Sequence, residues 1–96
     1  MRETHVEVQV FGKQNCGKCE STKHKVEHFI HKLGLQTQIS MTFFDMDTVD
    51  GRAEGAFSDV NDVPTTIIRR DGQDVVRWDG MIPDSVDLKQ YFVGTA

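Results

Sequence analysis

The chain has 96 residues and a net charge of −4, from 15 acidic and 11 basic side chains. This length suffices for one domain with a modest core, and we predict a single domain over residues 1–96. The acidic balance, with no basic stripe, argues against nucleic acid as a partner. No apolar run approaches the roughly 20 residues of a membrane span, and residues 1–5 lack the apolar core of a signal peptide. We therefore expect a cytoplasmic protein that binds neither nucleic acid nor a membrane.

The first half of the chain predicts a strand, a helix and a second strand. Residues 5–11 alternate as a strand does, and residues 12–15 follow as a loop. A helical periodicity then runs to about Leu33, and Gly34 is its expected stop. The next apolar segment, residues 39–46, predicts the second strand. A strand, a helix and a strand over this length make a parallel βαβ unit.

The second half predicts a short helix, a hairpin and a last helix. Residues 47–60 begin with capping side chains and keep a helical spacing that two glycines weaken. Residues 65–70 form a β-branched strand, Asp71 and Gly72 form a two-residue turn, and residues 74–78 form the return strand. The last helix opens after Pro83. The apolar residues that should face inward are Ala53, Ala56, Phe57 and Val60 in the short helix and Val86, Leu88, Tyr91 and Phe92 in the last.

The only two cysteines are Cys16 and Cys19, where the first strand ends and the helix begins. Cys16 stands near the first helical position, where unpaired backbone N–H groups and the helix dipole favour a thiolate. Cys19 falls on the same side of the helix as Val26 and Ile30, so we expect it to be buried and Cys16 to be exposed. In a reducing compartment this spacing favours redox chemistry or metal binding over a structural disulfide.

Other motifs extend this pattern over nearly the whole chain. The element order is β-α-β-α-β-β-α, with Val63-Pro64-Thr65 before the third strand and Gly80 after the fourth. The chain thereby resembles the thioredoxin-fold superfamily, in its small thioredoxin-like or glutaredoxin-like form. The resemblance implies an α/β thioredoxin-like fold with a central mixed four-stranded sheet flanked by helices. It also implies a cis peptide bond at Pro64 and a substrate-binding role for Val63, Pro64 and Gly80.

Five positions place the chain between the two groups of the superfamily. Thioredoxins carry a tryptophan directly before the first cysteine and a buried acid six residues before it, where this chain has Asn15 and Val10. Glutaredoxins often carry a basic residue three positions before the first cysteine, which Lys13 matches. They usually have a threonine where Asp62 stands, and a pair of glycines where this chain has Gly80 alone. The electron donor therefore stays open between glutathione and a thioredoxin-reductase-like enzyme.

The activity that the resemblance implies is thiol–disulfide oxidoreduction, in which protein or small-molecule disulfides are reduced. Cys16 would attack the substrate disulfide and Cys19 would resolve the mixed disulfide. Lys13 and Lys18 would place positive charge near the pair and stabilise the thiolate. The redox-active Cys16–Cys19 disulfide needs no further cofactor. We expect a monomer with disulfide-containing protein substrates.

Two alternatives use the same cysteines differently. Small copper-carrier domains also place a CxxC between a strand and a helix, but they have methionine where this chain has Gln14 and have no Val-Pro-Thr step. A zinc site made only of cysteines needs more than two. We interpret the helical stripe of His24, His28 and His31 as a solvated face rather than a metal site. The other alternative is a redox-inert binding domain on the same scaffold.

Overall fold

The computed structural model describes residues 5–94. Their order is the predicted β-α-β-α-β-β-α, so the fold class is confirmed. The expectation about a signal peptide concerned residues 1–5, of which only His5 lies in the described part. Among residues 5–94 no helix is both long and apolar enough to cross a membrane. The elements are β1 (Val6–Gly12), α1 (Gly17–Lys32), β2 (Ile39–Asp45), α2 (Val49–Phe57), β3 (Thr65–Arg70), β4 (Gln73–Asp79) and α3 (Ser85–Val93).

The four strands form one mixed sheet in the order β2-β1-β3-β4. β1 runs parallel to β2, with Gly12 opposite Asp45. β3 runs antiparallel to both of its neighbours, and Thr65 lies opposite Phe11 on one side and Asp79 on the other. As a result, the last residues of β1, β2 and β4 and the first residue of β3 meet at one end of the sheet. The two cysteines follow β1 directly at this end.

Both faces of the sheet are covered. Val8 and Val10 of β1 belong to a large apolar cluster with Val26 of α1 and Phe92 of α3. Phe11 belongs to a smaller cluster on the opposite face and stacks on Phe44, with ring centroids 4.9 Å apart. Burial on both faces explains why the consecutive residues Val10 and Phe11 at the end of β1 are both apolar.

The expected packing of Val86 is wrong, because α3 turns other residues inward. Leu88 and Phe92, four residues apart, are fully buried. Val86 lies two residues before Leu88, which is about 200° around a helix, so it points away from the core. Its side chain is 62% exposed. On the core side, Trp78 meets Tyr91 edge to face at 6.0 Å between ring centroids.

Of the residues expected to face inward in the short helix, Val60 is buried, but the expectation is wrong for Ala53, Ala56 and Phe57, because α2 packs by its glycines. Gly51 and Gly55 are buried, whereas Phe57 is 81% exposed and both alanines of the helix are exposed. A β-carbon at Gly51 would collide with the backbone carbonyl of Asp45. At Gly55 it would come within 2.5 Å of the methyl carbon of Met46. The two glycines therefore let α2 lie directly against the end of β2.

Candidate active site

Cys16 and Cys19 form a disulfide at the start of α1, with their α-carbons 5.2 Å apart. Cys16 is the N-cap of the helix, and its backbone is extended at φ −117° and ψ 107°. Its Sγ atom accepts a hydrogen bond of 3.1 Å from the backbone N–H of Cys19. Cys19 is 1% exposed, whereas Cys16 is partly exposed. The helix thus presents one sulfur outward and holds the other in the core.

Gly12 lets the end of β1 approach the buried cysteine. A β-carbon at this position would lie 2.9 Å from the Cβ and 3.0 Å from the Sγ of Cys19, and 2.9 Å from the ring of Phe43. Any side chain there would therefore displace the cysteine or the ring. The sequence pattern predicted a loop at Gly12 and indicated no role for this residue. A lone glycine at the end of an apolar strand was the available signal, since it often marks a close approach of this kind.

A hydrogen bond joins the loop before Cys16 to the end of β2. The side-chain amide of Gln14 donates to the Asp45 carboxylate at 3.1 Å, and the backbone N–H of Met46 donates to the Gly12 carbonyl at 2.8 Å. Asn15, between Gln14 and Cys16, has a positive φ of 57°. The residue directly before Cys16 is therefore held in the left-handed region, which asparagine tolerates better than most residues.

The Asp45 carboxylate is kept ionised. The backbone N–H of Asp47 donates to it at 2.9 Å, and this bond, followed by that from Gln14, lowers the pKa of Asp45 below its ordinary value. Glu20, the other acid that follows the cysteine loop closely, pairs with Lys23 at 3.5 Å. Asp45 is thus held by two hydrogen bonds, and Glu20 by an ion pair with a partly exposed lysine.

The segment before β3 lies at the same end of the sheet as the cysteines. The Val63–Pro64 peptide bond is cis. Pro64 is buried and Val63 partly exposed. The backbone N–H of Gly80 donates to the Pro64 carbonyl at 2.8 Å. Gly80 has a φ of 70°, and a β-carbon there would approach Asp62 to 3.2 Å. The structure thus brings Val63, Pro64 and Gly80 together, beside the end of β1 that leads into Cys16.

Lys13 and Lys18 are both exposed and stand within three residues of Cys16. Among the described residues neither forms an ion pair. No described acid neutralises either charge. His24, His28 and His31 are exposed on α1, and within residues 5–94 no group of three or more candidate metal ligands comes together.

The sheet order, the helices and the CxxC disulfide at the end of β1 define a thioredoxin fold, which confirms the resemblance inferred from the motifs. No protein-family model matches the chain, and no curated protein matches its sequence. Solved structures match it over nearly its whole length. The similarity of this chain to known proteins is therefore seen in its structure.

Three thioredoxins illustrate the likeness. Thioredoxin-2 of the malaria parasite, described as a component of the parasite's protein secretion machinery, has a TM-score of 0.78 at 19% identity, covering 98% of this chain and 86% of that one. Thioredoxin from Fasciola hepatica has a TM-score of 0.74 at 22% identity, covering 98% and 84%. A point mutant of thioredoxin from Halobacterium salinarum has a TM-score of 0.70 at 26% identity, covering 94% and 74%. This chain is therefore a thioredoxin-fold protein.

Proposed function

We propose that the chain is a thiol–disulfide oxidoreductase that reduces disulfide bonds with the Cys16–Cys19 dithiol. The observation that carries the proposal is the unequal placement of a bonded pair, with Cys16 partly exposed at the N-cap and Cys19 buried one helical turn on. The helix start and the Cys19 N–H favour negative charge on the Cys16 sulfur. An accessible, stabilised thiolate beside a sheltered second thiol suits a two-step exchange.

The reduced form would act in two exchanges that balance electrons. The Cys16 thiolate attacks one sulfur of the substrate disulfide, forming a mixed disulfide and releasing the other substrate sulfur as a thiolate. The Cys19 thiolate then attacks the Cys16 sulfur, which releases the second substrate thiol and closes the Cys16–Cys19 disulfide present in the structure. Two protons from solvent complete the substrate thiols. Two electrons from glutathione or a thioredoxin-reductase-like enzyme restore the dithiol.

The substrate would be a disulfide-containing protein in the cytoplasm, and the protein would act as a monomer. The partly exposed segments around Val63 and Gly80 would receive the chain that flanks the substrate cysteine. The hydrogen bond between Gly80 and Pro64 supports a shared binding surface there.

Insulin reduction by dithiothreitol tests the proposal. The wild-type protein should accelerate precipitation of the insulin B chain, and Cys16→Ser should give only the uncatalysed rate. A wild-type rate equal to that of Cys16→Ser would overturn the oxidoreductase assignment and favour a binding domain. As a second measurement, one metal ion per chain in the purified reduced protein, lost in Cys19→Ser, would favour a metal carrier.

A further inference from the structure

β2 is an edge strand with backbone groups that no described strand pairs. It lies at the end of the sheet order and its only neighbour is β1. The Val6 N–H donates to the Gln38 carbonyl and the Gly12 carbonyl accepts from Met46. Because hydrogen bonds alternate along a parallel pair, the even-numbered residues of β2 bond to β1. Met41 and Phe43 therefore direct their N–H and C=O groups away from the sheet.

The side chains of the same two residues line two cavities under α1. Met41 lines one cavity of about 260 Å³, together with Glu27 and His31 of α1. Phe43 lines the other, of about 370 Å³, together with Glu20 and Lys23 of α1. Ile39 and Met41 line the first cavity and Phe43 lines the second. Since residues two apart on a strand share one face, the two cavities follow each other along β2. We call these two cavities and the outer edge of β2 the β2 groove.

The β2 groove ends at the candidate active site. Lys13, Gln14 and Asn15 line its second cavity, and Asn15 directly precedes Cys16. The groove lies on the β2 side of Cys16, whereas Val63 and Pro64 precede β3, on the other side of β1. It is thus a separate surface that leads to the same cysteine.

The lining of the second cavity carries one more basic than acidic side chain, and the Asp45 carboxylate lies beside this lining, 3.1 Å from the Gln14 amide. Lys13 and Lys23 line the second cavity with a single acid, Glu20, which is 3.5 Å from Lys23. Lys23 is also held over the Phe43 ring, 4.6 Å from its centroid. An acidic side chain entering this cavity would meet Lys13, which pairs with no described acid.

We propose that the β2 groove binds an extended segment of a protein disulfide substrate as an added strand. The segment bonds to the outward backbone groups of Met41 and Phe43, places alternate side chains in the two cavities, and carries an acidic residue opposite Lys13 and Lys23. Main-chain bonds of this kind give affinity while the cavities give selectivity. The proposal rests on the proposed reductase function and names the substrate segment that it recognises.

Hydrogen exchange in a trapped complex tests the proposal directly. Cys19→Ser should hold a synthetic extended peptide disulfide, with a glutamate two positions from its cysteine, as a mixed disulfide on Cys16. Exchange at the Met41 and Phe43 amides should slow by about tenfold or more, since a strand bond closes each of them. The Thr42 amide, already bonded to β1, is the control and should not change. Unchanged exchange at Met41 and Phe43 in the trapped complex would overturn the proposal.

Kinetics with a neutral small disulfide separate this proposal from the proposed function. Met41→Pro removes an N–H that faces outward, so the bonds to β1 should survive, and Met41→Ala is the matched control that keeps the N–H. Turnover of the peptide should fall about three- to tenfold in the proline variant relative to the alanine variant, with hydroxyethyl disulfide turnover equal in both. An equal fall with both substrates, or no fall, would overturn the edge-strand proposal. A wild type that reduces neither substrate would overturn the reductase function itself.

Lys23→Glu gives a second measurement that does not alter the strand. It should lower turnover of the glutamate peptide and raise that of the same peptide with lysine at that position. Equal effects on both peptides would contradict the acidic-segment assignment. A second copy of the chain is the other partner that could pair with the outer edge of β2. Sedimentation of the wild type and of Met41→Pro tests this. A wild-type dimer that is lost in Met41→Pro would assign the edge to a second copy and overturn the proposal.

Discussion

Gly12 and Cys19 are in contact so close that only a hydrogen atom fits on the α-carbon of residue 12. A β-carbon there would lie 2.9 Å from the β-carbon of Cys19, closer than two such carbons pack. The end of β1 and the first turn of α1 are thereby fixed against each other. The sheet, and not the helix alone, sets the position of the buried thiol.

We expect Gly12→Ala to destabilise the oxidised protein by about 1–3 kcal/mol, the usual cost of forcing an extra carbon into a packed site. Gly17→Ala is the matched control, because a β-carbon at Gly17 meets nothing within 4 Å. Since alanine favours helix over glycine, the control should gain up to about 1 kcal/mol. Urea unfolding of both variants measures the difference. Equal midpoints would show that β1 yields and that the contact does not fix Cys19.

Asp45→Asn should make unfolding less dependent on acid pH. Hydrogen bonds from Asp47 and Gln14 lower the pKa of Asp45 in the folded protein. Its stabilisation is therefore present above the unfolded pKa of about 3.9 and is lost as pH falls through the lower folded value. The wild type should have the higher Tm near neutral pH, and the two curves should converge in acid.

Gln14→Leu separates the two bonds to Asp45. Because the Asp47 N–H makes the larger contribution to the lowered pKa, this variant should keep most of the acid dependence of Asp45. Thermal unfolding followed by circular dichroism across the pH range measures all three proteins. A parallel offset between wild type and Asp45→Asn at every pH would contradict the assignment of the lowered pKa to these bonds.

Lys13 and Lys18 should speed the reaction of the reduced Cys16 thiol. Replacing both by glutamine should slow alkylation of Cys16 by iodoacetamide at neutral pH about threefold, with the effect shrinking at high salt because exposed charges are screened. Lys89→Gln, on α3, is the control for the loss of one exposed charge and should leave the rate unchanged. Peptide mapping should find the label on Cys16 before Cys19. A comparable slowing in Lys89→Gln would assign the rate to net charge and not to the position of Lys13 and Lys18.

The parts of the fold that follow from periodicity could be predicted. The 3.6-residue repeat of α1 placed Cys19 on the core side, and it is buried. The Asp71-Gly72 pair predicted the hairpin turn, because these residue types tolerate the positive φ that such a two-residue turn requires. Both residues adopt positive φ in the structure. Each of these signals lies within one element and needs no knowledge of what packs against it.

The wrongly predicted inward face of α2 has a physical cause. Hydrophobic periodicity assumes that the larger apolar side chain turns inward, but in α2 the available space admits only glycine at Gly51 and Gly55. Phe57 is then left outside. The bond between Gln14 and Asp45 and the outward backbone of Met41 depend on pairing between distant segments. No local pattern in the sequence encodes such pairing.

The packing of α2 gives its own test. Gly51→Ala sets a β-carbon against the Asp45 carbonyl, which belongs to the backbone and has little room to move. The variant should lose about 3 kcal/mol of stability, at the upper end for an added carbon. Ala53→Gly, on the exposed side of the same helix, should lose only about 1 kcal/mol from helix propensity. A smaller loss for Gly51→Ala than for Ala53→Gly, measured by urea unfolding, would show that α2 shifts readily on the sheet.

The unequal burial of the two cysteines predicts that only one single mutant traps substrates. In Cys19→Ser the mixed disulfide on Cys16 loses its intramolecular thiol, which acts at high effective concentration one helical turn away. The mixed disulfide must then wait for an external thiol. Adducts should therefore accumulate on a non-reducing gel and disappear when reductant is added.

In Cys16→Ser the remaining thiol is 1% exposed, and adducts should be at least about tenfold fewer, since the attacking sulfur must first be uncovered. The double mutant is the control for non-covalent association. Equal trapping by both single mutants would mean that the helix opens far enough to expose Cys19, and the division of roles between attack and resolution would then be wrong.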